Sequence, residues 1–152
     1  MKLAEALLNR GTLQNKLNEL RRRLDNNAVV QEGEQPAEAP LELLSQVDDA
    51  LAELQDLMKK INLTNASIMS EGKTMTELLA ERDCLKQKLS IYRDFLSNAS
   101  MTARRARGSE IKIISTVPVA ELQKMVDKNS QQLRKLEIKI QELNWITELK
   151  ED

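Results

Sequence analysis

Apolar residues recur at alternating steps of three and four in four stretches of the chain, the pattern of helices that bury one stripe along a shared seam. The first stretch runs through Leu3, Ala6, Leu13, Leu17, Leu20 and Leu24, the second through Leu44, Val47, Leu51, Leu54, Met58, Ile61 and Ile68. The third carries Met75, Leu78, Leu85, Leu89, Tyr92, Leu96 and Ala99, and the fourth Val119, Leu122, Val126, Leu133, Leu136, Ile140 and Leu143. Each predicts a helix of roughly 25 to 30 residues, about 38 to 45 Å long at the α-helical rise. Helices of matched length pack side by side. The pattern therefore predicts an all-α, antiparallel up-down four-helix bundle with coiled-coil-like seams, one domain over residues 1–152.

Breakers divide the chain at the same places. Gly33, Pro36 and Pro40 follow the first stretch, Gly72 separates the second from the third, and Gly108 and Pro118 bracket the entry to the fourth. Thr74-Met75-Thr76-Glu77 reads as a capping box at the start of the third helix, and Pro118 suits the first turn of the fourth. Two connections are long, residues 28–40 and 101–117, and in an up-down bundle they lie at one end. They also hold the chain's β-branched runs, Ala28-Val29-Val30-Gln31 and Ile111-Lys112-Ile113-Ile114-Ser115-Thr116-Val117. A short two-stranded β-ribbon formed by these two loops is expected there.

Composition removes function classes. There is no histidine, so nucleophile activation by imidazole, imidazole zinc sites and Glu-x-x-His di-iron sites are excluded. No catalytic or metal-ligating set and no cofactor is expected. The one cysteine, Cys84, forms no internal disulfide. The start of the chain is broken by Glu5 and Arg10 before an apolar run of signal-peptide length forms, and no stretch approaches the roughly 20 apolar residues of a membrane span. A cytoplasmic protein is the resulting expectation.

Net charge is −1, which supplies no field for nucleic acid or an anionic membrane. Locally, residues 2–27 and 101–117 each carry +3, and residues 28–40 and 41–66 each carry −3. The runs Arg21-Arg22-Arg23 and Arg104-Arg105-Ala106-Arg107 fall toward one end, but no aromatic is interleaved for base stacking, and they read as an ion-paired surface. No nucleic acid partner is expected. Gly72-Lys73-Thr74 imitates the end of a phosphate loop, yet Ser67 stands where its first glycine belongs. The sequons at Asn62, Asn65 and Asn98 are coincidences without a secretion signal.

Over nearly its whole length the chain resembles the septicolysin-like family of small bacterial proteins. The residues that carry the resemblance are Val30-Gln31-Glu32-Gly33-Glu34-Gln35-Pro36-Ala37-Glu38, Ala80-Glu81-Arg82-Asp83, the run Ser109-Glu110 through Val117, and Glu142-Leu143-Asn144-Trp145-Ile146-Thr147-Glu148-Leu149. The chain departs from that family's pattern at Ala39 and Pro118, where an aspartate is expected beside a helix start. The resemblance implies a haemolysin-like, membrane-active role as one reading of function.

Two anomalies stand out on the helices. In the register that places Leu3, Leu17 and Leu24 inside, Arg10 falls inside too, and the same test puts Asn65, Arg82 and Asn129 on their seams. Arg10, Asn65 and Arg82 fall toward the end holding the short turn, with Glu81, Asp83 and Glu148 as the nearest carboxylates. Unpaired buried charge is too costly to keep, so the group is either an anion or small-ligand pocket or a satisfied polar layer that fixes helix register. The second anomaly is Ile138 and Trp145, one heptad apart on the face opposite the fourth seam. An outward tryptophan beside an outward isoleucine predicts a partner surface, and self-association into a homo-oligomer is the simplest partner. The sequence thus predicts a non-catalytic structural or interaction protein, with a membrane-active protein and an anion- or nucleotide-binding module as alternatives.

Overall fold

A computed structural model describes residues 1–101 and 111–152. Among these residues the elements are helix α1 (Leu3–Asn26), helix α2 (Pro40–Ser67), strands β1 (Met69–Ser70) and β2 (Lys73–Thr74), helix α3 (Met75–Ala99) and helix α4 (Val119–Ile146). The chain divides into two compact units, one made of Met1–Ile68 with Glu142–Asp152, the other of Met69–Gln141.

In the first unit α1 and α2 pack along their lengths. Leu3, Ala6, Leu13 and Leu20 are buried on α1, and Leu43, Ala50, Leu54, Leu57 and Ile61 on α2. The buried stripe of α2 differs from the expected seam. Leu54 and Ile61 lie inside as predicted, but Leu44, Leu51 and Met58 are exposed, and the row Leu43, Ala50, Leu57 and Thr64 takes their place. Both rows are apolar in sequence. The small side chains of Ala6 and Ala50, both buried, let the two backbones approach, which accounts for the choice of the row that contains an alanine.

The connection between α1 and α2 is pinned by polar groups. The Asn27 carboxamide donates to the Arg23 carbonyl at 2.8 Å and accepts from the Glu38 backbone amide at 3.0 Å, and the Arg23 guanidinium forks onto the Glu38 carboxylate. Pro40 opens α2 at a position that needs no amide, and Ala39 before it offers no side-chain cap. Residues 28–31 form no strand, and neither do residues 111–117. The strand pair lies instead in the short connection, where Met69 pairs with Thr74 and Ser70 with Lys73. Its turn residues, Glu71 at φ 50° and Gly72 at φ 80°, both have the positive φ that a tight two-residue hairpin requires. A local turn closes this ladder at little entropic cost, whereas the β-branched loops are distant in sequence and belong to different units.

The second unit begins with that hairpin. The capping box forms as written in the sequence: the Glu77 amide donates to Thr74 Oγ1 at 3.1 Å, and the Thr74 amide donates to Glu77 Oε2 at 2.6 Å. Lys86 pairs with Glu137 at 3.2 Å and Arg93 donates to Ser130 Oγ at 2.9 Å, so advance along α3 matches retreat along α4. Pro118 lies just before α4 rather than within its first turn, and its carbonyl accepts from Glu121 and Leu122.

Candidate functional site

Of the six residues predicted to form a polar cluster, Glu81, Arg82 and Asp83 lie in the second unit and Arg10, Asn65 and Glu148 in the first. The Arg82 guanidinium reaches the neighbouring Asp83 carboxylate through Nε at 3.0 Å and Nη2 at 2.9 Å. Glu81 is exposed and accepts from Lys73 Nζ at 2.8 Å, which holds the Lys73 amine above the ordinary lysine range. That lysine was the one in the phosphate-loop imitation. It sits on strand β2 and is occupied by a carboxylate. Glu148 belongs to the first unit, where Lys2 Nζ lies 2.5 Å and the Met1 amine 3.4 Å from its carboxylate. Lys2 first, then the terminal amine, holds that carboxyl below the usual carboxylate range. Arg10 and Asn65 are half-buried, and among the described residues no carboxylate pairs with Arg10. Asn129 is buried, in keeping with its seam position. The run Arg104, Arg105 and Arg107 lies outside the described residues, while Arg23 of the other basic run is committed to Glu38.

Sequence reasoning missed a polar junction in the first unit. Residues 147–150 lay a short antiparallel bridge beside the start of α1: Leu3 donates its amide to the Thr147 carbonyl at 2.9 Å, and Leu149 donates to the Met1 carbonyl at 2.8 Å. The same tail reaches the end of α2, where the Lys150 amide donates to Thr64 Oγ1 at 2.9 Å. Lys60 then ties Glu151 at 2.8 Å and Asp56 at 2.9 Å, and these two carboxylates raise its amine well above the ordinary lysine range. Thr64 had appeared only as part of a glycosylation sequon. Its place at a seven-residue step from Leu57 was the available signal.

No group of three or more Cys, Asp or Glu stands close enough to hold a metal ion among the described residues, and no described helix is long and apolar enough to cross a membrane. Apolar side chains are also exposed on the helix surfaces. Ile138 is 50% and Trp145 57% exposed, both on α4. In the first unit an open groove of ≈ 350 Å³ runs beside α2, lined by Leu17 and Leu24 of α1 and Val47, Leu51 and Leu54 of α2, with Arg21 and Asp25 among its polar lining residues.

The sequence pattern of a Family of unknown function (DUF6847) matches residues 10–149. The chain belongs to that family. Its fold is similar to a crystal structure of a functionally unknown conserved protein from Corynebacterium diphtheriae, with 39% sequence identity, a TM-score of 0.93 and 99% of each chain covered. Among curated proteins, none matches the chain. The matched span takes in both units, so the tail that docks on α1 and α2 belongs, as far as Leu149, to the stretch that defines the family.

Proposed function

We propose that this member of the family is a non-catalytic structural or interaction protein that associates with copies of itself through apolar helix surfaces, in the cytoplasm. The observation that carries this reading is the exposure of Trp145, the chain's single tryptophan, on α4. A surface tryptophan leaves a large apolar area in water, and tryptophan is enriched where partners make their strongest contacts. Ile138, one heptad earlier on α4 and in the second unit, is exposed as well. The paired state of Arg82, Glu81 and Glu148 supports reading the charged seam residues as structural rather than as an anion pocket.

The test is solution mass combined with tryptophan emission. Sedimentation equilibrium across a wide concentration range should show an oligomer that dissociates on dilution, and Trp145 emission should shift to longer wavelength as it does so. A monomer at every concentration would remove the self-association reading. An oligomer whose emission does not change on dissociation would move the contact away from Trp145.

A further inference from the structure

We propose that the exposed row Leu44, Leu51 and Met58 on α2 is an interface between two copies of this chain, related by a two-fold axis beside Leu51. This rests on the self-association reading and adds a row on α2 to the apolar surface that it uses. The row is anomalous for a solvent-facing stripe. Residues at seven-residue steps lie one above another on a helix, and here all three are large and apolar, with 46%, 46% and 43% of their surfaces exposed. α2 already spends two other rows, Leu43, Ala50, Leu57 and Thr64 together with Leu54 and Ile61, on the interior of its own unit. The third row keeps nearly half of its surface in water, although Leu51 also lines the groove shared with Leu17 and Leu24 of α1. Beside it runs the groove lined by Leu17, Leu24, Val47 and Leu54, so the apolar surface continues from the row toward α1.

The occupant follows from the symmetry of the row itself. Leu51 lies seven residues from both Leu44 and Met58. A two-fold at its centre lays two α2 helices antiparallel, sets Leu51 against the partner's Leu51, and brings Leu44 opposite the partner's Met58. The charges beside the row fit the same operation. Asp48 and Lys59 are exposed next to it, one on each side of Leu51, and among the described residues neither has an ion-pair partner. The antiparallel arrangement leaves Asp48, three residues before Leu51, and the partner's Lys59, eight residues after it, about 7.5 Å apart along the helix axis, a gap that the long lysine side chain can cross. A parallel arrangement would instead bring like charges together. An isologous contact needs a surface that complements itself, and this one does so in the polarity of its row and in the pairing of Asp48 with Lys59.

Three variants of the full chain test the proposal. Leu51→Glu places two carboxylates at the axis, and since Leu51 is half exposed the helix itself tolerates the change. Its association should weaken by about 100-fold or more, with helicity by circular dichroism unchanged. Leu51→Cys in a Cys84→Ser background should form a disulfide-linked dimer on mild oxidation, because the two-fold brings the two thiols together. Asp48→Lys should weaken association by about three- to ten-fold, and adding Lys59→Asp should restore it. If the unsubstituted chain is a monomer throughout, both this proposal and the self-association reading fall. If it is an oligomer, but Leu51→Glu leaves its mass unchanged and the Leu51→Cys chain does not cross-link, this proposal alone is overturned. Should Leu51→Glu fail to fold, the cross-link decides, and its absence is the overturning result.

Discussion

Thr64 Oγ1 accepts the backbone amide of Lys150 at 2.9 Å while its own proton goes to the Lys60 carbonyl at 2.7 Å. One fully buried hydroxyl thus uses its donor and an acceptor at once. The first bond joins the last turn of α2 to the tail, and the second keeps the hydroxyl aimed at it. This junction sits on the same unit as the bridge between Lys2 and Glu148, so the tail is held at both the start of α1 and the end of α2.

Replacing Thr64 by valine keeps the shape and deletes both bonds. The expected loss is about 1–2 kcal/mol, since the Lys150 amide is left to water and the buried position holds no other acceptor for it. Chemical denaturation measures the loss, and hydrogen exchange at the Lys150 amide should accelerate. Thr64→Ser keeps the acceptor and should leave that exchange rate slow, losing only a buried methyl worth about 1 kcal/mol. Equal exchange rates in the two variants would mean that the hydroxyl does not hold the tail.

The Glu148 carboxyl is held below the ordinary carboxylate range by Lys2 foremost. A depressed folded-state pKa means that its stabilising contribution is complete above the unfolded value and is lost as the pH falls through the folded value. Glu38 beside Arg23 and Glu71 beside Lys139 are shifted in the same direction, so their contributions fade over the same acidic interval. The docked tail should therefore loosen below the usual carboxylate range, while the pair is unaffected near neutrality. Carboxyl titration by nuclear magnetic resonance should find Glu148 below its normal value, and Lys2→Met should move it part of the way back, the terminal amine still holding it down. A normal titration in the unsubstituted chain would contradict the contact.

Glycine substitutions should give opposite signs at two positions. Gly72 holds φ 80° in the hairpin turn, where a side chain is strained whatever the space around it. Gly72→Ala should destabilise by about 1 kcal/mol. Gly11 lies within α1, and an added Cβ meets nothing within 4 Å. Gly11→Ala should stabilise by about 0.5–1 kcal/mol through helix propensity. Denaturant midpoints of the two variants, measured against the unsubstituted chain, settle both signs.

Helices were legible because a step of three or four leaves a strong trace: Leu13, Leu20, Leu54, Leu78, Leu89, Val126 and Ile140 are buried where their spacing predicts. The capping box at Thr74 and Glu77 was legible for a similar reason, since both of its bonds are local in sequence. Which row of α2 turns inward was not. Leu44 and Leu43 are equally apolar, and the choice depends on how closely another helix can approach, a property of the pair. The ribbon was misplaced because β-branched composition marks strand propensity, while pairing is decided by a turn such as Glu71-Gly72. The junction at Thr64 was invisible for a third reason. Its partner is a backbone amide 86 residues away, and no side-chain pattern records such a bond.

The septicolysin-like resemblance leaves membrane activity as a competing reading, and vesicles separate it from self-association. Several apolar side chains are exposed in the connections, among them Val29, Ile111 and Ile114, and such residues can insert at an interface. Insertion deep enough to open a membrane needs more. The apolar stripes of α1 and α2 are occupied with each other, and withdrawing Leu3, Leu20, Leu43 and Ile61 from that contact exposes side chains each worth about 1.5–3 kcal/mol when buried. No described helix supplies a spanning apolar face in exchange. The expected outcome is that the protein releases no dye from vesicles of neutral or anionic phospholipid, and that Trp145 emission is the same with and without them. Release at protein concentrations where the oligomer forms, accompanied by a shift of Trp145 emission to shorter wavelength, would instead make the exposed apolar surface a membrane-binding one.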